Sequence, residues 1–197
     1  MATIDKVNKD DSIHGVLIFR PLPKHLDEAA VIKALSPEKD VDGITDGSMV
    51  GVFAGTKQAS RHVLRRPAWR SSTTTASDCT GKKAVVVGRS LVVGKPAAMM
   101  LLKKNATVTI CHTRTKDMPS VVKEADIVIV AAGRAGVVDD TYLRAGQTVI
   151  DVGINVNEEG KLCGDVAYAK AEPIVEAITP VPGGVGSLPH LFWSAMW

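Results

Sequence analysis

The sequence predicts an α/β protein built on a doubly wound parallel sheet. Three observations predict it. Short apolar runs of strand length recur at Ala84–Val87, Ala106–Cys111, Asp126–Ala131 and Gln147–Val152. Segments of helical pattern lie between them, the clearest from Pro96 to Lys104. Glycine or polar residues follow the runs, so the chain turns there. Alternating strands and helices require parallel pairing with helices covering the sheet.

The bulk properties are those of an ordinary globular chain. Its 197 residues suffice for one large domain or two small ones, and 45% of them are hydrophobic and 23% charged. A net charge of +3 is too weak to indicate nucleic acid as a partner. Cys79, Cys111 and Cys163 are far apart and in no metal-binding spacing. They read as reduced thiols of a cytoplasmic protein, with no metal expected. The N-terminus shows no charged-then-apolar signal pattern and no run is long enough to span a membrane, so no membrane partner is expected. No internal repeat is visible.

Residues 1–56 open with a polar stretch, Met1 to Asp11, expected as a helix end or loop. Ile13 to Phe19 reads as a strand, and Arg20-Pro21-Leu22-Pro23 must leave the sheet because proline cannot donate to a ladder. Leu26 to Leu35 is amphipathic, with Asp27 and Glu28 in its first turn and Ser36-Pro37 as its stop. Lys39-Asp40-Val41-Asp42-Gly43 places two carboxylates two residues apart beside a lysine. That is a polar site or a solvated turn. Gly51 to Thr56 is expected as a loop.

Residues 57–77 stand apart. They carry Lys57, Arg61, Arg65, Arg66 and Arg70, no acidic side chain, and neither strand nor helix periodicity. A basic loop, a disordered linker or a shifted coding frame would each read this way. The tail from Leu188 is similarly foreign. The three tryptophans, Trp69, Trp193 and Trp197, all fall in these two segments.

The central unit runs from Lys83 to Thr109: strand, glycine turn, helix, strand. Gly88 and Gly94 have five residues between them and do not form the common GxGxxG fingerprint. The turn either cradles a phosphate or merely connects strand to helix. Arg89 and Ser90 are placed to donate to a phosphate. The second strand ends in His112-Thr113-Arg114-Thr115-Lys116, with no acid where a carboxylate would hold a ribose 2′-hydroxyl. A basic, hydroxyl-rich strand end suits a 2′-phosphate, so NADP is preferred over NAD. His112 is either a ligand contact or a polar cap.

Further along, Met118–Glu124 reads as a short helix, Asp139–Leu143 as a helical turn, Glu158–Gly160 as a hairpin-like turn and Tyr168–Ile174 as a helix. Ligands of such sheets bind beyond the carboxyl ends of the strands. Those ends carry Gly88-Arg89-Ser90, Thr113, Gly133 and Gly153-Ile154-Asn155. Ile178 to Gly186, ITPVPGGVG, is an irregular segment able to approach a ligand closely, or a plain loop.

Seven motifs occur in one order: HGVLI with PLP at His14 to Pro23, PEKDVDG at Pro37 to Gly43, VVVGRSLVVGKP at Val85 to Pro96, NATVTICHTRT at Asn105 to Thr115, DVGIN at Asp151 to Asn155, GDV at Gly164 to Val166, and ITPVPGGVG. Together they closely resemble the bifunctional methylenetetrahydrofolate dehydrogenase/methenyltetrahydrofolate cyclohydrolase family. The resemblance implies a Rossmann-like NADP domain at 80–187 and a partial α/β folate-binding catalytic domain at 1–56. Anomalous segments remain at 57–79 and 188–197. It implies NADP-dependent oxidation of 5,10-methylenetetrahydrofolate and hydrolysis of the methenyl product to 10-formyltetrahydrofolate, in a cleft between the domains. By motif, Asp42 would bind the pterin, and Pro180, Val181, Pro182, Gly183 and Gly184 would form the loop at the folate. Gly88, Arg89, Ser90, Thr113 and Ile154 would contact NADP, alongside Arg114 and Gly133 at the same strand ends. A homodimer is also implied.

The chain departs from the family pattern in four places. The family's Tyr-x-x-x-Lys motif with its catalytic lysine is expected upstream of His14 and does not occur. Phe19-Arg20 stands where Gln-Leu is typical. The Pro-Cys-Thr-Pro region is replaced by the basic segment, and Ser187 to Trp197 does not match the family's closing helix. A shifted reading frame from about Gln58 to Ser77, and from Leu188, would account for the last two. A non-catalytic NADP-binding remnant is therefore the competing expectation. Another NADP dehydrogenase is a third, though it would not explain Asp42 and the ITPVPGGVG loop together.

Overall fold

A computed structural model of the chain describes residues 1–55 and 78–185. The anomalous segment at 57–77, the tail from Leu188 and Gly186 lie outside the described residues. The chain divides into two compact units, Met1–Arg65 and Arg66–Trp197.

In the first unit the polar start forms a helix, α1 (Ala2–Lys9), followed by α2 (Glu28–Ala34) and α3 (Asp46–Ala54). Side chains tie the first two together. Asn8 donates from Nδ2 to the Ala34 carbonyl (2.7 Å) and accepts from the Ser36 N–H (2.9 Å). Lys39 of the KDVDG motif donates from Nζ to the Val7 and Asp10 carbonyls (2.6 and 2.7 Å), satisfying acceptors at the end of α1. Asp27 begins α2 by accepting from the Ala30 N–H.

Two expectations fail here. Ile13–Phe19 does not form a strand: Val16 makes a single bridge to Asp40. Its apolar run has the composition of a strand, but a ladder needs a neighbour, and no second strand flanks it among the described residues. Gly51 to Ala54, expected as loop, belongs to α3. Thr45 caps this helix by accepting from the Ser48 N–H, and only at Gly55, in the left-handed conformation, does it stop. Good capping at both ends outweighs the glycines inside.

The second unit is a five-stranded parallel sheet: β1 (Lys83–Val87), β2 (Thr107–Cys111), β3 (Ile127–Val130), β4 (Thr148–Asp151) and β7 (Ala177–Ile178), in the order β2-β1-β3-β4-β7. A small antiparallel hairpin, β5 (Asn155–Val156) and β6 (Leu162–Cys163), stands apart from it. Val85, Val87, Val128 and Val130 are buried on one face, with Val122 in the same cluster. Alternation then puts Val86, Ile127 and Ile129, equally buried, on the other. Burial on both faces is why these strands read as unbroken apolar runs.

α4 (Gly94–Lys103) connects β1 to β2 and buries Gly94, Pro96, Ala97, Ala98, Met100 and Leu101. α5 (Met118–Lys123) connects β2 to β3 and is sealed at its C-terminal end by two side chains. Gln147, fully buried, donates from Nε2 to the Val122 and Ala125 carbonyls (2.9 Å each) and accepts from the Arg144 N–H (2.8 Å). Arg144 donates to the Lys123 and Ala125 carbonyls. The expected helix at Tyr168–Ile174 is shorter, ending at Ala171. The expected loop at Ile178 instead completes β7, paired with β4.

The path of the chain defines one functional edge. It leaves β1 for β2 on one side, then returns past β1 to β3 on the other. The strand order reverses between β1 and β3, and ligands of such sheets bind beyond the carboxyl ends at such a reversal.

Candidate functional site

Because all five strands are parallel, the residues that follow them share one edge of the sheet. Gly88-Arg89-Ser90 follows β1, His112-Thr113-Arg114 follows β2, Ala131-Ala132-Gly133 follows β3, and Val152-Gly153-Ile154 follows β4. The expected strand-end residues are thus brought together on one side of the second unit. Asp42 lies in the first unit, between the Val16–Asp40 bridge and α3. Pro180 to Gly184 follows β7.

The β1 turn is built around close backbone approach. Gly88 has φ +123°, and a Cβ there would collide with the carbonyl of Ala131 at the end of β3. A Cβ on Gly94 would collide with the Gly88 carbonyl in turn. The two glycines therefore let strand, turn and helix start pack directly on one another. Ser90 organises the turn: its Oγ accepts from the Val93 and Gly94 N–H groups (3.1 and 3.3 Å). Its hydroxyl hydrogen stays available as a donor. Arg89 and Ser90 are both exposed.

The β2 turn is held by its own residues. The His112 N–H donates to Thr115 Oγ1 (2.8 Å), and His112 Nδ1 accepts from the Arg114 N–H (3.1 Å). The ring proton then belongs on Nε2. His112 serves as a local cap of the turn, and it holds Thr113 and Arg114 exposed at the edge. No acidic residue occupies this turn from His112 to Lys116.

Sequence reasoning missed a buried polar network behind the β3 and β4 ends. Asp151, closing β4, and Asp165 are 3% and 0% exposed. Asp151 accepts from the N–H groups of Gly153, Asp165 and Val166 (2.9, 3.0 and 2.8 Å). Asp165 accepts from the N–H groups of Ala132 and Gly133 (2.6 and 2.8 Å) and from Asn155 Nδ2 (2.8 Å). The available signal was an acid directly after the apolar run Thr148–Ile150, since a carboxylate in that place must find donors.

Burial raises the Asp151 carboxyl above the ordinary value of 3.8, against the three N–H donors that favour its ionised form. A raised folded-state value stabilises the fold below 3.8, and that contribution is lost as pH rises through the folded value. The advantage of the parent chain over Asp151→Asn is therefore expected to be larger below pH 3.8 than at neutrality. Urea titrations of both chains at the two pH values read it directly. An advantage that shrinks on acidification would contradict this.

Cys79 and Cys111 are buried, and burial pushes both thiols up, away from the reactive thiolate. Among the described residues no group of His, Cys, Asp or Glu is arranged to hold a metal ion. Among the described residues, too, no helix is long and apolar enough to cross a membrane.

Known proteins place this arrangement in context. Residues 69–192 match the family model for the tetrahydrofolate dehydrogenase/cyclohydrolase NAD(P)-binding domain, and residues 1–42 match the model for the catalytic domain. The bifunctional protein FolD of Carboxydothermus hydrogenoformans is 50% identical over 187 residues, which cover 94% of this chain and 65% of that protein. FolD of Magnetococcus marinus is 47% identical over 95% of this chain and 66% of its own length. The chain thus spans about two thirds of the length of these relatives. Among solved structures, the FolD methylenetetrahydrofolate dehydrogenase/cyclohydrolase of Campylobacter jejuni superposes with a TM-score of 0.89 at 37% identity, over 95% of this chain and 66% of its own. The Trypanosoma brucei enzyme, solved with NADP and an inhibitor, gives 0.85 at 31% identity, over 95% of this chain and 66% of its own. The parallel sheet, the glycine turn after β1 and these matches over both units establish that the chain belongs to the tetrahydrofolate dehydrogenase/cyclohydrolase family.

Proposed function

We propose that this chain acts in one-carbon folate chemistry, as the dehydrogenase and cyclohydrolase that oxidises 5,10-methylenetetrahydrofolate with NADP and hydrolyses the methenyl product. The single observation that carries the reading is the shared edge beyond β1 and β2. It joins a glycine turn of close approach to an exposed, basic, acid-free strand end. In this reading Gly88, Arg89 and Ser90 receive the pyrophosphate region. Thr113 and Arg114, with Arg89, receive the 2′-phosphate, where guanidinium can pair bidentately. Gly133 and Ile154 border the nicotinamide half. Bound NADP would supply the hydride acceptor. The protein's task is to hold the reacting carbon of the folate against it and to admit one water to the oxidised product.

The assignment of residues 80–187 to the dinucleotide and 1–56 to the folate follows from the same reading. Asp42 contacts the pterin, and Pro180, Val181, Pro182, Gly183 and Gly184 border the folate. The protein is a cytoplasmic homodimer in this reading, which size-exclusion chromatography with light scattering tests.

One observation favours binding without turnover. Arg20, which with Phe19 stands where the family pattern has Gln-Leu, directs its guanidinium to Glu28 (3.5 Å). Glu28 also accepts from the Leu22 N–H (3.1 Å), so this segment is committed to its own helix start.

Thermal melts with and without NADP test the proposal first. A ligand at 100 times its dissociation constant adds about 2.7 kcal/mol to the state that binds it, so the transition should rise visibly with NADP and little with NAD. Arg89→Ala should weaken NADP more than NAD, and equal weakening would contradict the 2′-phosphate role. Formation of NADPH with methylenetetrahydrofolate, followed by absorbance, then separates an enzyme from a binding remnant.

A further inference from the structure

Asp165 does more than fill a buried position, because its two oxygens reach two different loops. Oδ2 holds the N–H groups of Ala132 and Gly133, directly after β3, at 2.6 and 2.8 Å. Oδ1 holds the side chain of Asn155, after β4, at 2.8 Å. Its own N–H is held by Asp151, the last residue of β4, at 3.0 Å. Gly133 itself has φ +68° and open space where a Cβ would stand. Its N–H donates to the buried Asp165 side chain.

We infer that Asp165 is a positioning residue that locks the β3 and β4 loops to one another and so shapes the nicotinamide half of the dinucleotide site. The inference rests on the dinucleotide reading above. Its sidedness follows from the topology. A dinucleotide crosses the switch point between β1 and β3. With the 2′-phosphate of the adenosine half on the β2 end, the other half falls on the side of β3 and β4. The Asp165 carboxyl group holds that side, through Ala132, Gly133 and Asn155. Among the described residues it makes no hydrogen bond to the Gly88–Gly94 turn or to the His112–Arg114 turn.

A purely structural role and a positioning role separate when the two halves of the ligand are measured apart. The full chain and Asp165→Asn are titrated calorimetrically with NADP and with adenosine 2′,5′-bisphosphate. In parallel, amide hydrogen exchange of Ala132 and Gly133 is followed without ligand. Charge-assisted hydrogen bonds to backbone N–H are replaced by weaker neutral ones. NADP should therefore bind about tenfold more weakly or worse, the bisphosphate should bind unchanged, and exchange at Ala132 and Gly133 should accelerate. Equal weakening of both ligands, or unchanged NADP affinity, overturns the inference. Unaltered exchange overturns it as well. Should the parent chain bind neither ligand, the dinucleotide reading fails, and accelerated exchange or its absence still decides whether Asp165 locks the loops. If Asp165→Asn does not fold, Asn155→Ala cuts the link while leaving the Ala132 and Gly133 bonds in place. Selective loss of NADP supports the inference in that variant, and parallel loss of both ligands overturns it.

Discussion

Replacing Gly88 by alanine is expected to abolish measurable NADP binding and to destabilise the sheet unit by about 1–3 kcal/mol. Two effects combine. The φ of +123° is a conformation that side-chain-bearing residues rarely adopt, and the added Cβ would overlap the Ala131 carbonyl. That carbonyl cannot retreat cheaply, because Ala131 is tied to β1 through its N–H bond to the Val87 carbonyl (2.8 Å). The turn would have to open, taking Arg89 and Ser90 out of register with the strand ends. Calorimetry with NADP and a thermal melt give both readouts. Parent-like affinity in Gly88→Ala would remove the glycine turn from the site. Gly133→Ala is the informative contrast: its φ is also positive, but its Cβ would meet open space, so strain is expected without collision.

The second large effect is expected away from the site. Gln147→Leu keeps the bulk of the side chain and deletes three hydrogen bonds in a fully buried place. The Arg144 N–H loses the side-chain partner that Gln147 supplies, while the Val122 carbonyl keeps its bond from the Ala125 N–H (3.1 Å). The Ala125 carbonyl keeps its bond from Arg144 Nη2 (2.9 Å). A polar group left unpaired costs on the order of 1–3 kcal/mol and one group is left so, which makes the expected loss about 1–3 kcal/mol. A denaturant titration would show it as a lower midpoint at unchanged slope. An unshifted midpoint would mean that water reaches the end of α5 and replaces the amide.

How much of this was legible depends on the range of the interaction that decides each feature. β1, β2, β3 and β4 were readable because their apolar runs are buried on both faces, and only their ends moved by a residue or so. α4 was readable from its pattern, although it begins at Gly94 and not at Pro96. The Ile13–Phe19 segment has equal strand character and yet forms one bridge, because pairing is a property of two segments. β7 escaped notice for the opposite reason: two residues carry no periodicity, and the parallel partner alone makes them a strand. The places of Gly88, Arg89, Ser90, Thr113 and Arg114 directly after strands could be read. The bond from the Arg114 N–H to His112 Nδ1 could not, because it depends on how the turn folds back.

By itself, the sequence determined the α/β class, the parallel sheet, the glycine turn after β1 and the basic end of β2. These follow from local periodicity and from residue types that restrict or free the backbone next to them. Only the tertiary structure decided the strand order, and with it where that order reverses. It also decided that Asp151 and Asp165, 14 residues apart, answer each other and the loops after β3 and β4. Buried carboxylates must be paired with donors, but the donors here are backbone N–H groups, which every residue except proline carries. Which of them lies within reach is settled by the packed sheet alone.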